Sequence, residues 1–406
     1  MRIYLDYAAT TPVDESVKKV MEPFLSGLFG NAGSLHVYGQ EASSALDLSR
    51  EKVANLIGAG FREIIFTGSA TEANNLAIRG AVKKAGSKHG LSKPKIIISA
   101  IEHESVLETA RDLARESGAE IAILQVDKEG FVNPNELEKL LDKNTVLVSV
   151  MYANNEVGSV EPIKEIAAAI KKFKNETGVY PLLHTDAVQA FQYLPCNVAD
   201  LGVDLMTISS HKIYGPKGVG ALYVKNISAG IDPIITGGGQ EFGLRSGTEN
   251  IAGIVGFASA AEIAAGIREK ENERVERLRN LFYEKIKSSL REAELNGPNL
   301  SSPGRLPNNL NIYFPRSKAD ELLIACSTQG IAVSAGSACQ SRSSAPSHVL
   351  RAMYGNDERA IGSLRITFGR GTTGKEIDTA TGTIIKIIGE KSNPSTRFAI
   401  SGQTRT

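Results

Sequence analysis

Short apolar runs alternate with amphipathic helical patterns from about residue 60 to 225. Several of these runs are almost continuously apolar, as expected of parallel strands that are buried on both faces. The predicted strands are EIIFT, KIIIS, EIAILQ, TVLVSVM, YPLLHTD, DLMTISS and GVGALYV, and the predicted helices are 71–85, 105–117, 134–142 and 162–175. This alternation predicts an α/β domain with a mostly parallel sheet flanked by helices.

A second pattern begins near residue 257, where a long, charged, amphipathic stretch extends to about 295. A break rich in Pro, Gly and Asn follows, and then a shorter mixed segment. Because a chain of 406 residues exceeds one typical core, we expect two domains. The predicted limits are 15–260 for a large domain, 1–14 with 261–390 for a smaller α+β domain, and 391–406 for a frayed tail.

The composition is that of an ordinary globular protein, with 42% hydrophobic residues and 46 Lys and Arg against 45 Asp and Glu. This balance provides no basic excess for nucleic acid, and the charges of 268–290 are typical of a solvated helix face. The N-terminus contains Asp6 and no apolar signal segment. Residues 251–267 are mostly small and include Glu262, which favours a packed helix over a membrane span. We expect a cytoplasmic protein that binds neither nucleic acid nor membrane directly.

Polar segments follow five of the predicted strands. In open α/β sheets, ligands bind in the crevice beyond the carboxyl ends of the strands, so these segments are expected to form one site. The sequence contains neither a P-loop nor a G-x-G-x-x-G between a strand and a helix, which disfavours a nucleotide. The five segments are GSATEANN, AIEHES, YANNEVG, TDAVQ and SSHKIYGPKG.

The pair of Asp186 and Lys212 indicates a pyridoxal-phosphate site. This cofactor needs an amine that holds its aldehyde as a Schiff base and a carboxylate that keeps its pyridine nitrogen protonated. An isolated loop lysine is more often a solvated surface group. Here Lys212 lies in a tight, glycine-rich turn with hydroxyl and imidazole groups that suit a phosphate, namely Ser209, Ser210 and His211 before it and Gly215, Gly218 and Gly220 after it.

Other polar residues fit the same cofactor, each with an ordinary structural alternative. Residues 68–71 could hold the phosphate at a helix N-terminus, or Thr71 with Asn74 or Asn75 could simply cap that helix. His103 could stack on an aromatic ring and move protons, or be a satisfied loop histidine. Asn155 and Gln189 suit hydrogen bonds to a ring hydroxyl, or are amide caps.

Taken in this order, the motifs resemble the cysteine desulfurases, a group within the class V aminotransferases of the fold-type I pyridoxal-phosphate enzymes. The resemblance covers nearly the whole chain. Two departures concern the phosphate loop, which reads G-S-A-T where relatives commonly read S-G-A-T, and Ala335, which replaces a serine. The resemblance is carried by YLDYAATTPVD, FGNAGSLHVYGQ, TGSATEANNLAIRG, EHESV, YANNEVG, HTDAVQ, SSHKIYGPKGVGALYV, GGGQEFGLRSGTEN, SAGSACQS and SLRITFGRGTT.

The resemblance implies a role for each matching residue. Lys212 is the Schiff-base lysine, Asp186 the partner of the pyridine nitrogen, and His103 the stacking residue and proton shuttle. Asn155 and Gln189 contact the substrate side and the ring hydroxyl. Thr248 reaches the phosphate held by a neighbouring subunit, which implies a homodimer. The remaining phosphate-binding residues are Ala70, Thr71, Ser209 and His211.

Cys339 distinguishes sulfur chemistry from other reactions of this cofactor. Removal of sulfur from cysteine needs a thiolate that attacks the substrate sulfur and keeps it as a persulfide. The surrounding SAGSACQSRSSAPSHVL has few core-forming residues, which predicts a mobile exposed loop. Cys196 and Cys326 lie in apolar contexts and are expected to be buried. The three cysteines form neither a disulfide framework nor a metal motif.

The expected activity is conversion of L-cysteine to L-alanine with a persulfide on Cys339, whose sulfur passes to an iron–sulfur scaffold or tRNA-thiolation partner. Arg365 would bind the substrate carboxylate through its planar fork, or form a surface ion pair. A selenocysteine lyase on the same scaffold is the enzymatic alternative. A non-catalytic sulfur carrier that merely retains the fold is the other, and a protein that stays colourless with added cofactor would favour it.

Overall fold

A computed structural model describes residues 2–91, 93–178, 180–227, 230–336 and 346–392. Cys339, the predicted nucleophile, therefore lies outside the described residues, as does the predicted tail from residue 393. The chain divides into two compact units. The large unit contains 10–154 and 160–268, and the small unit contains 1–9, 155–159 and the chain from 269 onward. The predicted domain limits of 15–260 and of 1–14 with 261–390 remain a prediction.

Within the described residues, the strands are β1 (Ile3–Tyr4), β2 (Ile64–Thr67), β3 (Lys95–Ser99), β4 (Glu120–Leu124), β5 (Thr145–Ser149), β6 (Leu182–Asp186), β7 (Leu205–Ser209), β8 (Gly220–Val224), β9 (Glu294–Leu295), β10 (Asn309–Tyr313), β11 (Ile331–Ala332) and β12 (Ser363–Thr367). The helices are α1 (Glu15–Met21), α2 (Pro23–Ser26), α3 (Val37–Ile57), α4 (Ala70–His89), α5 (Glu104–Ser117), α6 (Pro134–Leu140), α7 (Ile163–Thr177), α8 (Val198–Leu201), α9 (Ile251–Ser289), α10 (Ala319–Thr328), α11 (His348–Tyr354), α12 (Glu358–Gly362) and α13 (Gly374–Ser392).

The large unit is built on a seven-stranded sheet in the order β2-β8-β7-β6-β5-β3-β4. Strands β4, β3, β5, β6 and β7 are parallel to one another, whereas β8 is antiparallel to both β7 and β2. The predicted α/β architecture with a mostly parallel sheet is therefore confirmed. The parallel run places the carboxyl ends of β3, β5, β6 and β7 on one edge of the sheet, the edge at which ligands bind in such folds.

Helix α4 lies close against this sheet because one of its faces is made of small residues. Ala73, Ala77, Ala81 and Ala85 recur every four residues, and all four are fully buried. They pack in one core with Ile96 and Ile98 of β3 and with the apolar face of α5. The helix that follows β2 is therefore held firmly at the sheet edge, and its N-terminus is fixed in position.

The structure confirms the start predicted for the long helix, α9, and differs from the prediction at its end. The helix begins at Ile251, as expected from the packed helix predicted for 251–267, and the charged stretch predicted from 257 continues it. It ends at Ser289 rather than 295, since Glu294 and Leu295 pair with β10. The prediction of a fully solvated charged face is also wrong at Arg279, which is 1% exposed and donates to the carbonyls of Leu300 and Leu306.

Helix α9 has an 18-residue window with a mean hydropathy of 1.4, so its length and composition would suffice to cross a membrane. Half of that window is buried inside the protein. A core helix passes the same test, and burial on this scale is what a packed helix shows.

The small unit contains an antiparallel sheet in the order β12-β10-β9 and a parallel pair, β1 and β11. The short segment 155–159 belongs to it, since Ser159 forms a bridge with Arg305. The side chains of Asn309 and Asn311, both on β10, donate to the carbonyl of Glu156. The sheet therefore holds a piece of chain that is distant from it in sequence.

A buried ion pair joins α3 to the segment before α9 within the large unit. The side chains of Arg50 and Glu241 are 3% and 2% exposed, and their two nitrogen–oxygen distances are 2.6 and 2.8 Å. The amide of Phe66 also donates to Glu241, and the guanidinium lies 4.9 Å from the ring centroids of Phe66 and Phe242. Glu241 and Phe242 have φ values of 49° and 58°, a region that residues other than glycine seldom occupy.

We expect Arg50→Met to lower the free energy of unfolding by about 3–5 kcal/mol, because it leaves the Glu241 carboxylate buried without its partner. The double variant Arg50→Met, Glu241→Gln should lose less than the sum of the single changes. Urea unfolding followed by circular dichroism measures these effects. Lys52→Met is the matched control on the same helix, since Lys52 and Glu262 are 38% and 44% exposed and such pairs contribute at most about 1 kcal/mol. Equal losses in Arg50→Met and Lys52→Met would contradict this account.

Candidate active site

The predicted site residues of the large unit lie where the parallel strands end. Asp186 is the last residue of β6 and Ser209 the last of β7, and these strands are neighbours in the sheet. His103 directly precedes α5, on the connection that leaves β3. The end of β7 continues into a single turn of 3₁₀-helix, 210–212, which carries His211 and Lys212. The expected gathering of polar segments at one sheet edge is thus what the fold produces.

A chain of hydrogen bonds connects Asp186 to His103. The Oδ2 atom of Asp186 accepts from Asn74 Nδ2 at 2.9 Å, and the same amide donates to Ser105 Oγ at 2.8 Å. Ser105 Oγ lies 2.8 Å from His103 Nδ1, which also accepts from the Ser105 amide at 3.0 Å. Because Nδ1 accepts that N–H, the proton of a neutral His103 ring is on Nε2. The chain therefore fixes both the position and the tautomer of the histidine.

The carboxylate of Asp186 is buried, with 5% of the residue exposed. Its second oxygen accepts from the Val188 amide at 3.0 Å, so its donors are neutral amides. Within the described ranges, no Lys or Arg nitrogen lies within ion-pair distance of it. A buried carboxylate is costly without a cationic partner, so this one is suited to a ligand that carries a protonated nitrogen.

Glu102 is a second buried acid near Asp186, and it is held differently. Its Oε1 atom accepts from Ser99 Oγ and from the Met151 amide, both at 2.6 Å. Complete burial raises the pKa of Glu102 from 4.5 to about 8, and the negative charge of Asp186 contributes to this shift. Glu102 therefore keeps its proton at neutral pH and adds no second negative charge beside the site.

The N-terminus of α4 forms the part of the site that suits a phosphate. Ser69 caps the helix by accepting a hydrogen bond from the Glu72 amide. The alternative that Thr71 with Asn74 or Asn75 caps this helix is therefore wrong. The amides of Ala70 and Thr71 have no partner within the described part of the chain. A Cβ on Gly220 would come within 3.0 Å of the Ala70 amide nitrogen, so only glycine allows this close approach of β8. The result is a set of open N–H groups at the positive end of a helix dipole.

Ser209 and His211 lie beside this helix end on the chain that leaves β7. The Oγ atom of Ser209 is buried and has no hydrogen-bond partner among the described residues. His211 Nδ1 is 3.0 Å from Thr10 Oγ1, which orients the ring. Burial and, to a smaller extent, the positive charges of Lys212 and Lys217 together lower the pKa of His211 to about 4. The imidazole is therefore neutral at physiological pH and acts as a hydrogen-bonding group.

The other predicted residues of the large unit are placed as follows. Lys212 ends the 3₁₀ turn and is partly buried. Gln189 follows β6 by three residues and is 9% exposed. Thr248 is exposed, in the segment between the buried Glu241 and α9. The nearby Arg245 pairs with Glu72 of α4 at 2.6 Å, which ties this segment to the phosphate loop.

In the small unit, Arg365 of β12 is 1% exposed and pairs with Asp6 at 2.8 Å. The alternative that Arg365 forms an ion pair on the surface is therefore wrong, because its side chain is buried. Its NH1 atom donates to the Asn155 carbonyl at 3.3 Å. Its Nε atom is buried without a hydrogen-bond partner in the described regions, which is a donor that a carboxylate ligand would satisfy. The structure thus groups Asn155 with Arg365 in the small unit.

Cys339 lies in the part of the chain that the structure leaves undescribed, so its predicted role remains a prediction. Cys196 and Cys326 are 3% and 1% exposed, which confirms that they are buried. Burial raises the pKa of the Cys196 thiol to about 12, so it is protonated and unreactive at neutral pH.

Sequence reasoning assigned no functional contact to Asn74, Ser105, Glu102 or Asp6. The first three occur in the polar segments GSATEANN and AIEHES, which gave a weak signal for each of them. Asp6 gave no such signal, because nothing near it in the sequence indicates that it pairs with Arg365, which lies 359 positions away.

The geometry agrees with what comparison with known proteins shows. Residues 3–379 match the model of the aminotransferase class V family, and the chain belongs to that family. A relative from Dictyoglomus turgidum, named cysteine desulfurase IscS, is 45% identical over 386 residues, which are 95% of this chain and 94% of the relative. A solved NifS-like protein superposes with a TM-score of 0.86 at 38% identity, covering 96% of this chain and all of the other. A structure titled SspA in complex with cysteine has a TM-score of 0.75 at 34% identity, with coverages of 91% and 99%.

Enzymes of this class use pyridoxal phosphate, and the residues of the large unit fit it. The buried Asp186 carboxylate suits a protonated ring nitrogen. Among the described residues, the Ser209 hydroxyl has no partner and the amides at the start of α4 are open, which suits a phosphate. The amine of Lys212 would fit the aldehyde of this cofactor.

We expect Glu102→Gln to change how stability depends on pH. A carboxyl group whose pKa is raised on folding stabilises the protein at pH values below its pKa in the unfolded state. That stabilisation is lost as the pH rises toward and through its pKa in the folded state. For Glu102 this interval runs from 4.5 to about 8. Across this interval, the free energy of unfolding of the glutamine variant should therefore rise relative to that of the wild type by roughly 1 kcal/mol per pH unit. Urea unfolding between pH 5 and 8.5 measures the difference, and parallel curves for the two proteins would refute it.

Proposed function

We propose that this chain is a pyridoxal-phosphate-dependent cysteine desulfurase that converts L-cysteine to L-alanine and holds the sulfur as a persulfide on Cys339. The observation that carries the proposal is the Asp186 carboxylate, buried without a cationic partner among the described residues and linked through Asn74 and Ser105 to His103. The identity of 45% to a cysteine desulfurase over nearly the whole chain supports the substrate.

Each residue of the large unit has a distinct task in this proposal. When bound, pyridoxal phosphate provides an electron sink for the substrate. Asp186 would hold the protonated ring nitrogen, and the Lys212 amine would hold the aldehyde carbon. The phosphate would be bound by Ala70, Thr71, Ser209 and His211. Gln189 would donate to the ring hydroxyl, and Asn155 of the small unit would contact the substrate side.

Proton movement falls to His103 and Lys212. The Nδ1 atom of His103 already accepts a hydrogen bond from the Ser105 amide. Nε2 would therefore be the atom that donates and accepts protons in the reaction. The Lys212 amine, once free, is a second base. An imidazole ring can accept and donate a proton at the same nitrogen, so His103 can serve in both directions.

Sulfur transfer requires the Cys339 thiolate to attack the substrate sulfur. The new sulfur–sulfur bond forms as the carbon–sulfur bond breaks, and the substrate carbon keeps the electron pair and takes up a proton to become the methyl group of alanine. The sulfur is oxidised and the carbon reduced, so no external oxidant is needed. Arg365 would hold the substrate carboxylate through its Nε atom, which has no hydrogen-bond partner among the described residues.

We expect mass spectrometry to find one added sulfur atom on the Cys339 peptide after the purified enzyme receives L-cysteine. The peptides of Cys196 and Cys326 are internal references, because both thiols are buried. Cys339→Ser should keep the cofactor absorption and lose sulfide release in the presence of a thiol reductant. A Cys339→Ser enzyme that released sulfide at the wild-type rate would show that another group accepts the sulfur.

A homodimer is the second part of the proposal. Six large apolar side chains between residues 25 and 48 of the large unit are exposed. Exposed apolar surface of this kind is typical of protein–protein interfaces. A second copy is its expected partner, and Thr248, which is exposed, would reach the phosphate held by that copy. The exposed fractions are 68% for Leu25, 69% for Phe29, 92% for Leu35, 60% for Val37, 50% for Tyr38 and 55% for Leu48.

We expect sedimentation equilibrium to give twice the chain mass of 43.4 kDa for the wild type. Leu35→Glu should shift the population toward the monomer, because it places a charge in an apolar interface. Ile324→Glu is the control, since Ile324 is 67% exposed but lies on α10 of the small unit. An unchanged dimer in Leu35→Glu would remove this surface from the interface.

We further propose that the enzyme acts in the cytoplasm and passes its sulfur to an iron–sulfur scaffold protein or to tRNA thiolation. The balance of 46 basic and 45 acidic residues supports a protein acceptor over direct binding to nucleic acid.

A further inference from the structure

The two ends of the segment that carries Cys339 meet the same carboxylate in the small unit. Ser347 Oγ donates to Glu156 Oε2 at 2.5 Å. On the other side, Gly336 is buried with φ at +76°, and a Cβ placed on it would lie 3.2 Å from that same oxygen and 3.3 Å from the Ser347 Cβ. Residues 337–345, between these two points, lie outside the described residues. The described flanks of the segment therefore converge on Glu156.

Glu156 is well suited to hold them. It is completely buried, and its carbonyl accepts from Asn309 Nδ2 at 3.3 Å and from Asn311 Nδ2 at 3.2 Å. Both asparagines lie on β10, whose five residues are all buried. The backbone that carries the carboxylate is thus fixed to a sheet. From it, the side chain of Glu156 reaches a hydrogen bond with Ser347 at one end of the Cys339 segment and lies close to Gly336 at the other.

The same network includes Arg365. This residue pairs with Asn311 across the sheet, and its amide and carbonyl exchange hydrogen bonds of 2.6 and 3.0 Å with Ser334, two residues before Gly336. Its guanidinium donates to the Asn155 carbonyl, next to Glu156 in the chain. The proposed carboxylate-binding arginine and the base of the Cys339 segment are therefore held by one set of contacts within one unit.

We propose that Glu156 is a positioning residue for sulfur transfer, which fixes the base of the Cys339 segment relative to Arg365. The inference rests on the proposed desulfurase function. Cys339 is three residues beyond Gly336, so fixing that point restricts the space in which the thiol can move. Holding a nucleophile near its target raises its effective concentration, and losing that restraint lowers the rate of the step it performs.

The experiment compares Glu156→Gln and Ser347→Ala with the wild type. Ser347→Thr keeps the hydroxyl and should behave as the wild type. Ser347 also caps α11 by accepting from the Leu350 amide, so loss of a cap needs its own control. Asn133→Ala provides it, because Asn133 caps α6, and α6 and α11 each have seven residues.

Two readouts test the proposal. In single-turnover experiments with L-cysteine, the rate of persulfide formation on Cys339 should fall about 10- to 100-fold in Glu156→Gln and Ser347→Ala, with cofactor absorption and cysteine affinity nearly unchanged. In the cofactor-free protein, trypsin should cleave after Arg342, within the segment, several-fold faster in these two variants. Ser347→Thr and Asn133→Ala should match the wild type in both.

Three results would overturn the proposal. The first is wild-type behaviour of Glu156→Gln and Ser347→Ala in both persulfide formation and cleavage. The second is faster cleavage with unchanged persulfide formation, because the contact would then tether the segment without guiding the thiol. The third is an equal effect of Asn133→Ala, which would reduce the role to helix stability. A wild-type enzyme that forms no persulfide from cysteine would refute the desulfurase function itself, while the cleavage rates would still report on the Glu156 contact.

Discussion

The constraint on which the large unit depends is the burial of one carboxylate, Asp186, among neutral donors. Desolvation makes such a charge expensive, and the amides of Asn74 and Val188 offset only part of that cost. Glu102 nearby would repel it if both were ionised, but complete burial keeps Glu102 protonated. The remaining deficit is met when a ligand brings a protonated nitrogen. The site therefore has a built-in preference for a cationic ring, which is the property that a pyridinium cofactor supplies.

This arrangement follows from the topology of the sheet. Parallel strands deliver their carboxyl ends to one edge, so residues from β3, β6 and β7 meet although they are far apart in the chain. The alanine face of α4 lets that helix lie close to the sheet, which carries Asn74 inward and places the helix N-terminus beside Ser209. Gly220 completes the fit, since a side chain there would collide with the start of the helix. Packing and chemistry are thus set by the same small residues.

The sequence was sufficient for features that depend on local pattern. Apolar runs of four to seven residues predicted the strands, and the polar segments that follow them predicted the sheet edge that carries Asp186, His103 and Lys212. Patterns failed where the cause is distant. The end of α9 was placed too late because Glu294 and Leu295 pair with β10, which is distant in sequence. Arg279 was placed in solvent because it donates to backbone carbonyls of another segment. Asp6 could not be linked to Arg365, since only the fold brings them together.

In the small unit, the short segment 155–159 has a proposed role that its sequence alone did not indicate. The motif YANNEVG was interpreted through Asn155, and no role was assigned to Glu156 within it. Its position against Gly336 and Ser347 gives it a different significance, because a carboxylate fixed by two asparagines of a buried strand is a rigid reference point. In the proposed reaction, the Cys339 thiol must react first with the substrate and then with an acceptor, so it has to change position. A segment with few core-forming residues allows that change, and the contact with Glu156 keeps the base of the segment in place while it happens.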